Sequence, residues 1–195
     1  MKAGETLKSS YTRVFWGLIL VYFDINLGFF DILPNFIGYY LISSGLGGLA
    51  QKNPAYKTGR IPSALMIFVS LMWLLAPKNT YSKDISPSSL WLFAVSGLFA
   101  IINLIIQYSV CKGVYAEAEF YENTELMKKA KLRWQALFCV TAASLVLYPF
   151  LLTGQEWVTA LLFGVFIIGL ICELFVAGLL RTAREALVRD IDVNT

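Results

Sequence analysis

Seven polar side chains interrupt apolar stretches of this chain: Asp24, Asn26, Asp31, Asn35, Asn103, Gln107 and Glu173. The first four fall in one stretch, YFDINLGFFDILPNFIGYY, residues 22–40, which has no lysine or arginine. A carboxylate in the middle of a membrane helix costs about 2.5–3.5 kcal/mol on insertion scales. Protonating an aspartate at neutral pH costs about 4 kcal/mol, at 1.36 kcal/mol per pKa unit. The two costs are comparable, so protonation gives no escape and Asp24 has to face a partner, water or a cation. Its candidate partners are Asn26, Asn103, Gln107, the tyrosines and backbone groups freed by irregular turns. The chemistry such a site offers is proton or cation binding on a transport path, or hydrogen bonding between helices.

Asp31 lies seven residues after Asp24, about 10 Å along a helix and on nearly the same face. It suits the N-cap of a second helix, with Pro34 in that helix's first turn and Asn35 four residues beyond Asp31. Glu173 lies sixteen residues after Trp157, which places it about 24 Å from the outer side against about 10 Å for Asp24. The two acids are therefore not expected to pair. Glu173 precedes Arg181 by eight residues and is expected to snorkel or meet a basic side chain near the inner surface. Asn103 and Gln107 are four apart, share a helix face and suit hydrogen bonds to other helices. All seven residues are candidate substrate- or ion-binding groups.

No catalytic residue is assigned. The chain has no histidine, which removes Ser-His and Cys-His pairs and the commonest metal ligand. It shows no phosphate loop, dinucleotide fingerprint or zinc motif, so no metal and no cofactor is expected. Asp24 and Asp31 lie along one expected helix and cannot meet as an aspartyl protease pair. Cys111, Cys139 and Cys172 have no metal or disulfide spacing and are expected to be small buried side chains.

The elements that position these groups follow from hydropathy. Of 195 residues 57% are hydrophobic and 15% charged, with a mean hydropathy of +0.64; a soluble domain carries roughly a quarter charged residues. Crossing about 30 Å of hydrocarbon takes about 17–25 apolar residues. Six such stretches are predicted as helices, at 14–30, 33–50, 61–77, 89–121, 125–153 and 157–180. The first follows a basic start but lacks a cleavage site of small residues, so it is expected to be a retained helix, not a signal peptide. Lysine and arginine sort by loop: fourteen of sixteen fall on the side holding the N-terminus, the 51–60 connection, the 112–133 loop and the C-terminal tail. Only Lys78 and Lys83 fall on the other. The bias places both termini in the cytoplasm.

The expected fold is thus an all-α, six-helix integral membrane bundle, a single domain over 1–195. In the cytoplasmic loop, helix four runs on to about Tyr121, Asn123 and Thr124 break or cap the chain, and helix five begins near Glu125. Beyond Leu180 the tail reads equally as an amphipathic surface helix or a frayed end. Ser43–Gly47, Ser44–Gly48 and Ala160–Gly164 are small-residue pairs suited to close helix packing, and Trp16, Trp91, Trp134 and Trp157 read as interfacial anchors.

The segment DILPNFIGYYLI resembles a DILPDFIGY-type stretch of uncharacterised multi-pass bacterial membrane proteins. It covers about a dozen residues, and Asn35 stands where that stretch has aspartate. The resemblance implies no activity. The expected function is non-enzymatic: a small transporter or channel-like protein of the cell membrane with intramembrane acidic sites. The alternative is a structural or regulatory subunit that binds a partner through the cytoplasmic helical loop. A lipid-modifying enzyme is disfavoured by the missing histidine and metal motifs. The expected partners are membrane lipids, with a protein partner or a second copy of the chain also open; nucleic acid is not expected, because the basic residues punctuate apolar stretches instead of forming one face.

Overall fold

The computed structural model describes the backbone of residues 3–22, 26–27, 30–31, 35–75, 87–153 and 155–193, and side chains over 6–22, 35–72, 94–150 and 155–186. Among these residues the chain forms six α-helices: α1 Ala3–Tyr22, α2 Asn35–Leu49, α3 Lys57–Leu75, α4 Pro87–Phe120, α5 Thr124–Leu147 and α6 Glu156–Val193. A two-residue antiparallel ladder, β1 Asn26–Leu27 with β2 Phe30–Asp31, lies between α1 and α2. One-turn and two-turn 3-10 segments, Pro54–Tyr56 and Tyr148–Thr153, precede α3 and follow α5. Helices dominate because hydrocarbon offers no partner for backbone N–H and C=O groups, which a helix satisfies internally.

Three helical segments are long and apolar enough to cross a membrane: Ala94–Phe120, Thr124–Phe150 and Glu156–Ala186. They are also turned outward. Only 17% of the apolar window in the last and 11% in the second is buried inside the protein. Phe163, Phe166, Ile168 and Phe175 on α6 are all more than half exposed. A soluble helix would turn those residues inward, since burying one such side chain stabilises by about 1.5–3 kcal/mol. This surface is apolar enough to meet lipid.

Helix α1 departs furthest from the hydropathy pattern at its start. It begins at Ala3 and ends at Tyr22, where the pattern predicted 14–30. Asp24 and Pro34 lie outside the described residues. Asp31 sits in β2, four positions before α2 begins, so it is neither on a helix face shared with residue 24 nor the residue that caps α2. The turn-forming residues Asn26, Gly28 and Asp31 favour irregular backbone over an apolar helix, and hydropathy alone does not register that preference. Helices α2, α3 and α4 start and stop within about four residues of expectation, α5 gives way to the 3-10 segment at Tyr148, and α6 runs thirteen residues past the expected 180, unbroken to Val193.

Each helix packs on the next in chain order, α6 closes back onto α1, and α4 also touches α6. The core lies where α1, α2, α4 and α6 meet, with Val14, Leu18, Ile42, Leu46, Val110, Val114, Leu179 and Leu180 all but inaccessible. Glycines let α1 and α2 touch backbone to backbone. A Cβ on Gly17 would stand 2.7 Å from the Gly38 carbonyl oxygen, and one on Gly45 would stand 2.8 Å from that of Ser10. Of the pairs singled out in the sequence, Gly48 does abut Ser10, while Gly164 has nothing within 4 Å and faces outward.

The α4–α5 connection is capped as the sequence predicts. The Asn123 side chain accepts from the Leu126 N–H at 3.0 Å, and the chain reverses through Glu122 at φ 54°. Asn123→Ala is expected to lower stability by about 1 kcal/mol, read as a lower denaturation midpoint in detergent. An unchanged midpoint would remove the cap from the account.

Candidate functional site

Glu173, Gln107 and Tyr22 meet inside the bundle, from α6, α4 and α1. Gln107 Nε2 donates to Glu173 Oε2 at 2.5 Å and to the Tyr22 hydroxyl at 3.0 Å. The Tyr22 hydroxyl in turn bonds the Glu173 carboxyl. Gln107 is 1% exposed and its other amide atom, Oε1, is buried with no hydrogen-bond partner. One helical turn along α4, Asn103 Oδ1 accepts from the Tyr39 hydroxyl of α2 at 2.9 Å, and Asn103 Nδ2 donates to the Phe99 carbonyl at 3.1 Å. Four helices thus converge on a row of five polar side chains in an apolar interior.

Asn103 and Gln107 do what their spacing predicts: each bonds a different neighbouring helix. Glu173 does not. Instead of reaching toward the helix end it is held by an amide and a phenol, while Arg181, its expected basic neighbour, lies 3.3 Å from Glu185. A helix continuing to residue 30 was the basis for separating Asp24 and Glu173 by depth. Because α1 ends at Tyr22, helical rise does not set the depth of residue 24, and the residue two positions before it touches Glu173. Asn35 opens α2 half-buried, one turn before Tyr39. Asn26 and Asp31 pair through their backbones in the short ladder.

A second buried cluster was not legible in the sequence. The Tyr11 hydroxyl donates to Glu117 Oε2 at 2.5 Å and lies 3.0 Å from the Tyr56 hydroxyl. Glu117 Oε1 is buried without a partner. Glu117 opens the acidic run Glu117, Glu119, Glu122 and Glu125 at the α4–α5 connection, and it is buried where the other three are exposed. The sign that sets it apart is register: Ile106, Val110, Val114 and Glu117 follow the three- and four-residue spacing of the buried face of α4. Burial, then the nearby Glu117 carboxylate, holds the Tyr56 phenol well above its ordinary value, so it stays a protonated donor. The cysteines divide: Cys111 is buried, Cys172 half-buried, and Cys139 exposed against expectation.

The two clusters form parallel rungs. Eleven residues separate Tyr11 from Tyr22 on α1, and ten separate Gln107 from Glu117 on α4. On α6, Glu173 precedes Arg184 by eleven, and Arg184 bonds Thr12, next to Tyr11. Each interval corresponds to about 15–17 Å of helix. The chain therefore runs from the Tyr11–Glu117 rung to the Tyr22–Glu173 rung along α1, and back along both α4 and α6.

The chain matches no protein-family model, no curated protein and no solved structure. What the site does chemically rests on its own atoms. Glu173 accepts from two donors when ionised. When protonated it has a proton to give, and Gln107 Oε1 is an acceptor awaiting a donor. A half-turn of the amide exchanges its two ends, so the cluster has a hydrogen-bonded arrangement for either charge state.

Proposed function

We propose that this chain is a six-span protein of the cell membrane with both termini in the cytoplasm, and that its polar core carries a proton or small cation across. The rung geometry supports the topology. Helix α1 runs against α4 and α6, as alternate crossing requires. The end bearing Arg13, Arg184 and Lys52 is the one on which fourteen of sixteen basic residues are expected, and basic residues stay inside.

The observation that carries the transport reading is the Glu173 carboxyl, held by side chains of two other helices next to the unmatched Gln107 Oε1. Ionisable groups inside membrane helices mark ion and proton paths by default. Here the carboxyl ties α6 to α1 and α4, so a change in its charge alters the contact between three helices. Asp24, two residues beyond Tyr22 in the chain, is the second acid on the proposed path.

The test is reconstitution into liposomes loaded with pH- and cation-sensitive dyes. Glu173→Gln keeps the shape and removes the titrating group. It is expected to lower flux at least tenfold, the size of a single general acid–base contribution at its lower end or less. Asp24→Asn is expected to lower it as well. Wild-type flux in the Glu173→Gln protein would remove the core from the path, and wild-type flux in Asp24→Asn would remove that residue alone.

A further inference from the structure

The cytoplasm-proposed end of α1 carries two open grooves that share a ridge, Thr12 and Trp16. The larger, about 610 Å³, is lined by Lys8, Ser9, Thr12, Arg13, Trp16, Leu20 and Leu41, and the surface it presents is almost wholly apolar. The smaller, about 200 Å³, runs between α1 and α6, lined by Arg181 and Arg184 together with Phe15 and Leu180.

Both grooves are graded the same way. On α1 the change from charged to apolar falls between Arg13 and Phe15, and on α6 it falls between Leu180 and Arg181. Arg184 Nη1 lies 3.3 Å from Thr12 Oγ1, which brings the two changes level. Thr12 gives its own proton to the Lys8 carbonyl at 2.8 Å, so toward Arg184 it accepts. Trp16 is 53% exposed at this level, where amphipathic indoles settle between headgroups and chains. A cationic rim, an indole at the boundary and apolar channels beneath match the parts of one molecule.

We propose that this ridge binds an anionic phospholipid, with its phosphate among Lys8, Arg13 and Arg184 and its acyl chains in the two grooves. Charge complementarity selects the headgroup. Lys8, Arg13, Arg181 and Arg184 face the ridge, and among the described residues the opposing acid is Glu185, 3.3 Å from Arg181 Nε and 3.8 Å from Arg184 Nη2. The excess is three positive charges. Arg13 is also fixed in place, donating to Ser44 Oγ of α2 at 3.0 Å, so its guanidinium loses little freedom when it meets a phosphate. Leu20 lies two turns below Thr12, about 12 Å along the helix, a depth reached by an acyl chain and not by a free phosphate ion. The site lies about a full rung from Glu173, so it stands or falls independently of the transport reading.

The test is tryptophan quenching in phosphatidylcholine vesicles holding the full-length protein, with bromine on the acyl chains of either phosphatidylglycerol or phosphatidylcholine. The Trp16→Phe protein isolates the signal of the ridge by difference. Brominated phosphatidylglycerol is expected to quench Trp16 at a membrane fraction roughly tenfold to thirtyfold lower than brominated phosphatidylcholine, the scale set by two surface cations. Arg13→Gln with Arg184→Gln is expected to abolish that preference, while Lys128→Gln with Lys131→Gln, equally cationic but elsewhere, keeps it. Equal quenching by the two lipids in the wild type overturns the site, as does equal loss in both double variants. Displacement of the brominated lipid by inorganic phosphate as readily as by unlabelled phosphatidylglycerol would make it a phosphate site and overturn the lipid. If the Arg13/Arg184 double variant fails to fold by circular dichroism, the wild-type comparison still decides.

Discussion

Gly17→Leu is expected to cost about 3 kcal/mol of stability, the upper part of the range for overpacking a close contact. A Cβ there meets the Gly38 carbonyl oxygen at 2.7 Å and the Ile42 amide nitrogen at 2.9 Å. Both are backbone atoms of α2 and cannot turn aside as a flexible side chain would. Only a shift of the whole helix relieves the clash. That shift also disturbs the Arg13–Ser44 bond and the reciprocal contact in which a Cβ on Gly38 would meet the Gly17 carbonyl at 2.9 Å. Gly164→Leu is the matched control. It makes the same chemical change on α6 with nothing within 4 Å, and leucine's better helix propensity gives it a gain of up to about 0.8 kcal/mol. Thermal unfolding in detergent, followed by circular dichroism, should show the first variant melting well below wild type and the second at or above it. Equal midpoints for the two would mean that α1 and α2 do not touch as described.

Tyr11→Phe is expected to cost about 1.5–3 kcal/mol, the range for a hydrogen bond to a charged group. Phenylalanine fills the same volume, so the change isolates the hydroxyl. Removing it strips Glu117 Oε2 of the Tyr11 donor, and Glu117 Oε1 has none already. The carboxyl would then be buried with its closest donor gone, and a buried polar atom without a partner is the costly case. The bond also joins residues 106 positions apart, so its loss loosens α1 from α4 near the end where Tyr56 docks. A double-mutant cycle with Glu117→Gln apportions the effect. Residues bonded in one network are expected to couple by about 1 kcal/mol or more. A coupling near zero would show that Tyr11 and Glu117 act separately and that their bond does not tie α1 to α4.

Much of the architecture was legible without coordinates. The α2 stretch and the long α4–α5 hairpin followed from hydropathy, the hairpin turn from Asn123 as a cap, and the roles of Asn103 and Gln107 from their four-residue spacing. These are local signals, set by the chain within one or two helical turns, where propensity and periodicity operate. The end of α1 was misplaced because hydropathy averages over Asp24, Asn26 and Gly28 and counts the flanking phenylalanines as helix. Turn chemistry acts residue by residue and prevails over that average.

By itself the sequence determined that the chain is rich in helices apolar enough for lipid, where the charges gather, and that Glu173 sits in an apolar setting demanding a partner. It did not determine the partner. Glu173 meets Tyr22 and Gln107, and Glu117 meets Tyr11, only because the helices stand at particular rotations and heights against each other. Those are fixed by the sum of many contacts, among them the glycine crossing at Gly17 and Gly38. A carboxylate's need for a donor is a property of one residue, but the identity of the donor 66 or 106 positions away is a property of packing, which exists only once the bundle has closed.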